Sequence, residues 1–332
     1  MKGVPERVAI LRALPGLGDM LCAGPALRAM RTGWPDAHLA LVVLPGTETL
    51  AARVLPMIDE TLPFPGCPGI PERSVPDPPW PVFRAAMQAR RWDLAVQMHG
   101  DGSHLDAFMP QLAASRSVGY LPAAACPANG PDWFPYPETG HEILRWTGLM
   151  RQLGLPDRGT DLQFADHPGD RAALAALLDA RPGRYVCLHP GASTPVRRWP
   201  AERFAAIGDA LADRGHSVVL TGTAGEKAIT AAVAGAMRHP AIDLAGRTPL
   251  GVLALLLRRA ALLVSNDTGV AHLAVATRTP SVTVFLAADP DRWAPLDRDR
   301  HRIVVAGRLR GQPDAPLPAT DEVLAQAEAL LR

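Results

Sequence analysis

The 332-residue chain has no long uninterrupted apolar run. Its longest, residues 250–264, is broken by Arg258 and Arg259. Each part is too short to cross a bilayer. The N-terminus carries no cleavable signal pattern, because its apolar run is short and ends in Pro-Gly-Leu-Gly. A cytoplasmic protein is expected. Cysteine is scarce and dispersed (Cys22, Cys67, Cys126, Cys187), with no CxxC pair. Cys67 and Cys126 both lie in proline-rich loops, but reduced thiols are the simplest reading. Net charge is only +1 and aromatics are 5% of residues, so the basic stripe of a nucleic-acid binder is missing.

What is present is a globular composition, 48% hydrophobic and 20% charged, in a chain long enough for two cores. Short apolar runs alternate with helical patterns. RVAILRAL, AHLALVVL and DLAVQM read as strands in the first half; VFRAAMQARR and HEILRWTGLMRQLG read as helices. Residues 63–81 are too rich in proline for either element and form a long loop. The alternation weakens over residues 153–170, then resumes with RYVCLH, HSVVLTG, ALLVSN and PSVTVFL as strands. This pattern predicts two α/β domains, each with a parallel sheet. The expected divisions are residues 1–160, 161–318 and a terminal amphipathic helix at 319–332. Such sheets bind ligands beyond the carboxyl ends of their strands.

Five strand-end segments carry candidate chemistry. PGLGDM opens a helix, but Leu21 stands where a dinucleotide fingerprint needs its third glycine, and no acid ends the second strand. Asp19 is either a first-turn partner of the helix dipole or a general base. HPGASTPVRRWP gathers Ser193, Thr194, Arg197 and Arg198, a set suited to phosphate oxygens or simply a solvated loop. In TGTAGEK, Glu226 fits either a ribose diol or a helix first turn. In SNDTGVAHLAVA, Asn266, Asp267 and Thr268 are capping types before a helix whose free N–H groups suit an anion. His272, one turn in, is either a core histidine or a donor near that anion. In MHGDGSHLD, the residues His99, Asp101, His104 and Asp106 match no strong zinc spacing and read better as contacts to a hydroxylated ligand.

Together LPGLGDMLCAGPALRAM, HPGASTPVRRWPAERF, TGTAGEK and SNDTGVAHLAVATRTPSVTVF resemble glycosyltransferase family 9, the bacterial ADP-heptose:lipopolysaccharide heptosyltransferase family. The resemblance implies a GT-B architecture: two Rossmann-like domains facing across a cleft, acceptor on the first, nucleotide sugar on the second. It also implies a last helix packing back on the N-terminal domain. Asp19 matches the family's catalytic base, and Gly18, His99, Asp101 and His104 fall on the acceptor side. Ser193, Thr194, Arg198, Glu226, Asp267, Thr268, Gly269 and His272 fall on the donor side. Arg197 stands where the family often has lysine, and would meet the leaving group's charge. No cationic residue follows the third predicted strand until Arg116, whereas many lipopolysaccharide-directed members carry several there.

The implied reaction is an inverting, metal-independent transfer. The nucleotide sugar, ADP-heptose by family default, is a substrate, and no cofactor is expected. The acceptor would be a glycan or lipid-linked glycan, the protein a monomer with a peripheral contact to the inner membrane face. Asp267 cannot itself attract a diphosphate, so it is expected to serve sugar hydroxyls or the loop. Two rivals remain: a sugar-nucleotide epimerase of the same fold, and a non-catalytic nucleotide-sugar-binding protein.

Overall fold

The computed structural model describes residues 3–67, 70, 73, 79–125, 132–177 and 183–332. Cys126 and part of the proline-rich loop lie outside these residues; Cys22, Cys67 and Cys187 are buried. The chain divides into two compact units, Met1–Gln163 and Phe164–Arg332. Among the described residues no helix is long and apolar enough to cross a membrane.

The first unit runs β1 (Arg7–Leu11), α1 (Leu17–Gly33), β2 (His38–Val43), α2 (Glu48–Val54), β3 (Glu60–Pro63), α3 (Trp80–Gln88) and β4 (Leu94–Gln97). It continues with β5 (Arg116–Leu121), β6 (Trp133–Pro135) and α4 (Glu142–Gln152). Its strands are all parallel, in the order β3-β2-β1-β4-β5-β6. The central strands are buried on both faces, which is why they read as unbroken apolar runs rather than alternating ones.

The second unit runs α5 (Pro168–Leu177), β7 (Tyr185–His189), α6 (Ala201–Ala212), β8 (Ser217–Leu220), α7 (Lys227–Ala236), β9 (Ala241–Asp243) and α8 (Leu250–Arg259). It closes with β10 (Leu262–Asn266), α9 (Gly269–Thr277), β11 (Ser281–Phe285), α10 (Pro290–Trp293), β12 (His301–Val305) and α11 (Thr320–Leu331). The order is β12-β11-β10-β7-β8-β9, again all parallel. Each sheet therefore reverses its winding once, between β1 and β4 and between β7 and β10. That reversal opens a crevice beyond the strand ends where ligands bind in such folds.

The expected helix at the C-terminus is present as α11, and its Val323 and Ala327 are fully buried in the second unit's core, beside Trp199 and Phe204. Strand β1 stops at Leu11, short of the expected Leu14, because the chain turns at Pro15-Gly16 into α1. Five strands escaped the sequence pattern. β3, β6 and β9 have only three or four residues, β12 begins at His301 on a sheet edge, and β5 contains Gly119. Glycine is needed there because a Cβ would press on Gln97 of the neighbouring strand.

Candidate functional site

In the first unit two segments follow the strands that flank the reversal: residues 12–19 after β1 and 98–105 after β4. α1 begins at Leu17, so Gly18 and Asp19 lie in its first turn, with Gly18 buried and Asp19 partly exposed. The Asp19 carboxylate folds back over Gly16, where any Cβ would collide with it. Gly16 is the N-cap and gives no side-chain cap. Asp19 therefore occupies the helix tip on the strand-end side, a place compatible with both of its sequence readings.

After β4, His99 is buried and His104 exposed. Asp101 shapes the loop: its Oδ1 accepts from Ser103 N (3.0 Å) and Ser103 Oγ (2.7 Å). Gln97 Nε2 donates to the His99 carbonyl (2.6 Å). Burial, then the nearby Arg12 cation, pushes the His99 imidazole down to about 4, so it is neutral near pH 7. A neutral imidazole presents one donor and one acceptor, suited to sugar hydroxyls. Among the described residues no three His, Cys, Asp or Glu side chains gather to hold a metal ion; the Asp106 side chain is outside that description.

In the second unit the segments after β7 and β10 flank the reversal, and the segment after β8 lies next to them. Ser193 and Thr194 are exposed on the β7 loop. Arg198 is committed to that loop, Nε donating to Ala192 O (3.0 Å). Glu226 closes a capping box: its Oε2 accepts from Thr223 N (2.7 Å) and Thr223 Oγ1 (2.9 Å). Its carboxylate lies against Gly191, where a Cβ has no room. Beneath it, His189 meets Thr221 Oγ1 (3.0 Å) and approaches Glu226 (4.0 Å). Burial pushes His189 down to about 4, with Glu226 opposing.

None of the three capping-type residues before α9 caps it. Asn266, wholly buried, spends its amide across the reversal, Nδ2 to Pro190 O (2.8 Å) and Oδ1 from Trp199 N (2.9 Å). Asp267 faces Arg197 (3.8 Å). Thr268 occupies the N-cap position without a side-chain cap bond, and Gly269 opens the helix. The tip of α9 is left for an incoming acceptor of hydrogen bonds. His272 is 6% exposed and meets Trp293 edge-on at 6.0 Å, the packing of a core histidine set beside that tip.

Burial raises Asp267 to about 6, with Arg197 pulling the other way. A carboxyl raised on folding binds its proton more tightly in the native state. Its stabilising share is complete below the ordinary carboxylate range and is lost as pH rises through about 6. Asp267→Asn removes the titration. Its stability relative to the natural protein is expected to rise by about 3 kcal/mol between pH 4 and pH 7.5, at ~1.4 kcal/mol per unit. Urea unfolding of both proteins across that range checks it; a flat difference would show that Asp267 is not buried as a charge.

Arg12, His189 and the cross-linking role of Asn266 were missed in the sequence. Arg12 left a signal, a cation inside the run RVAILRAL. His189 looked like a strand end, and Asn266 like a cap.

A model of glycosyltransferase family 9 (heptosyltransferase) matches residues 82–315. The chain is 34% identical over 303 residues to lipopolysaccharide heptosyltransferase 2 of Escherichia coli (strain K12), covering 84% of this chain and 83% of that protein. In structure it resembles a glycosyl transferase family 9 protein from Veillonella parvula DSM 2008, with a TM-score of 0.80 and 19% identity over 98% and 97% of the two chains. It also resembles the E. coli ADP-heptose lps heptosyltransferase II, with a TM-score of 0.75 and 21% identity over 98% of each chain.

Proposed function

The chain belongs to glycosyltransferase family 9, and from that membership we propose that it transfers heptose from ADP-heptose to a hydroxyl of a lipopolysaccharide or related surface glycan. The observation that carries the donor half is the end of β10. There the uncapped tip of α9, Thr268 and Gly269, stands with Arg197 and Asp267 at the sheet's reversal. A helix tip and a guanidinium suit a diphosphate. Ser193 and Thr194, exposed on the adjoining loop, add hydroxyl donors. Glu226 Oε1 is left to receive a ribose hydroxyl while Oε2 holds its own turn. His272 backs the α9 tip, and Arg198 holds the phosphate loop in shape.

In the first unit Asp19 is the base. It takes the proton of the acceptor hydroxyl, with Gly18 leaving room and His99, Asp101 and His104 meeting the acceptor's other hydroxyls. The acceptor oxygen attacks the anomeric carbon opposite the departing diphosphate, which inverts that centre. Charge developing on the diphosphate is met by the α9 tip, Ser193, Thr194 and Arg197. Arg197 delivers a planar fork where the family often has a point charge. Asp267 serves the sugar's hydroxyls and orients Arg197. No metal is required in this scheme. The protein works as a monomer on the cytoplasmic side, touching the inner membrane face as it meets its acceptor.

Thermal unfolding with ADP, UDP, GDP and CDP tests the donor. ADP at about 100 times its Kd adds ~2.7 kcal/mol and raises Tm by several degrees, the others less. A larger shift with another nucleotide overturns the ADP assignment. Transfer from ADP-heptose that stops on chelation overturns metal independence.

A further inference from the structure

Arg12 is wholly buried just beyond β1. Its main-chain N–H donates to Val42 O (3.0 Å), which holds it in line with the strand. Its side chain then crosses the reversal of the first sheet. Nη1 donates to the Met98 carbonyl (2.7 Å), where β4 gives way to the His99 loop. Nη2 donates to the Asp19 carbonyl (2.6 Å), in the first turn of α1. The guanidinium lies over the Trp146 ring, 5.3 Å from its centroid, and 3.9 Å from Glu142. Glu142 is buried too, accepting from Trp146 Nε1 (2.7 Å) and Arg145 Nη1 (3.1 Å).

Stability is a weak reason for such a group. Buried ion pairs can often be replaced by apolar residues of similar size without loss. What a hydrocarbon cannot supply is a rigid fork whose two nitrogens hold carbonyls of two different strand-end segments. We infer that Arg12 is a positioning residue, whose guanidinium locks the first turn of α1 to the β4 loop and so sets Asp19 and His99 in one fixed arrangement. This rests on the reading of Asp19 as the base. The same cation acts electrostatically. His99 is faced by Arg12, His104, Asp101 and Glu142, and after burial Arg12 does most to hold it down at about 4.

Arg12 is wholly buried, so loss of activity alone would prove little. Arg12→Lys keeps a cation for Glu142 but replaces the fork with a point donor. It is expected to fold and to leave the KM for donor and the ADP-induced Tm shift unchanged. Its kcat is expected to fall about 10–100-fold, the scale of a 1 Å misplacement. Arg12→Leu with Glu142→Gln removes both charges and keeps an acceptor for Trp146. That pair is expected to fold, to lose kcat likewise, and to raise the His99 pKa followed by NMR, because Arg12 outweighs Glu142 there. Arg12→Lys leaves that pKa near its natural value. Turnover within twofold of the natural enzyme in both variants overturns the positioning role. So does a kcat loss accompanied by an equal loss of ADP binding, which marks a fold defect. If the natural enzyme itself transfers no sugar, the reaction assignment fails, and the titration still decides on Arg12: an unmoved His99 in the double variant overturns it.

Discussion

Asp19→Asn is expected to lower kcat by about 10²–10⁴-fold, the usual contribution of a positioned general base. Affinity for the nucleotide donor should stay within twofold, because the proposed donor groups all belong to the second unit. The substitution is nearly isosteric, so the carboxamide still fits over Gly16, where the carboxylate lies now. It removes the proton-accepting charge and one favourable interaction with the α1 dipole. The dipole share is small, about 0.3–1 kcal/mol. The two readings of Asp19 thus predict different variants. A first-turn partner loses a little stability and keeps its turnover. A base loses its turnover and barely changes in stability. Steady-state kinetics, calorimetric donor binding and thermal unfolding on one preparation separate them. Turnover above about a tenth of the natural rate would exclude Asp19 as the base.

Most of what positions these groups is legible in the sequence. Central strands buried on both faces leave unbroken apolar runs, and β1, β2, β4, β7, β8, β10 and β11 were all readable on that ground. Glycine-containing turns at their ends marked the segments now found at the two reversals. The edge strands were not readable: three or four residues such as ETLP or AID carry too little pattern, and only pairing with a neighbour makes them strands. The terminal helix was readable as amphipathic, and the stripe that made it so includes Val323 and Ala327, both fully buried. Polar side chains were hardest. Asn266 and Thr268 have the composition of caps, yet one links two loops and the other makes no cap bond. Arg12 interrupts an apolar run, and nothing local says that its partners lie seven and 86 residues away.

Asn266→Ala is expected to cost about 3 kcal/mol of stability, a large share of the 5–15 kcal/mol typical of a folded protein. The amide is fully buried and used at both ends. Alanine leaves the Trp199 N–H and the Pro190 carbonyl without this partner, at roughly 1–3 kcal/mol for each buried group left unsatisfied. It also frees the β7 loop from β10, so ADP affinity should fall with it. Trp199 is still held at its other end, where Nε1 donates to Pro318 O (3.0 Å), so the loop loosens rather than detaches. Asn266→Asp separates hydrogen bonding from mere space filling. The aspartate keeps an oxygen for Trp199 N–H but turns a carboxylate toward the Pro190 carbonyl oxygen, beside the buried Asp267. Such a carboxyl titrates upward, and its protonated form can donate to Pro190. Its stability is therefore expected to be near that of the natural protein at low pH and to fall as pH rises through its raised pKa. Asn266→Ala should show no such added dependence. Parallel unfolding curves for the two variants across pH 4 to 8 would mean that Asn266 fills volume and does not tie the two loops together.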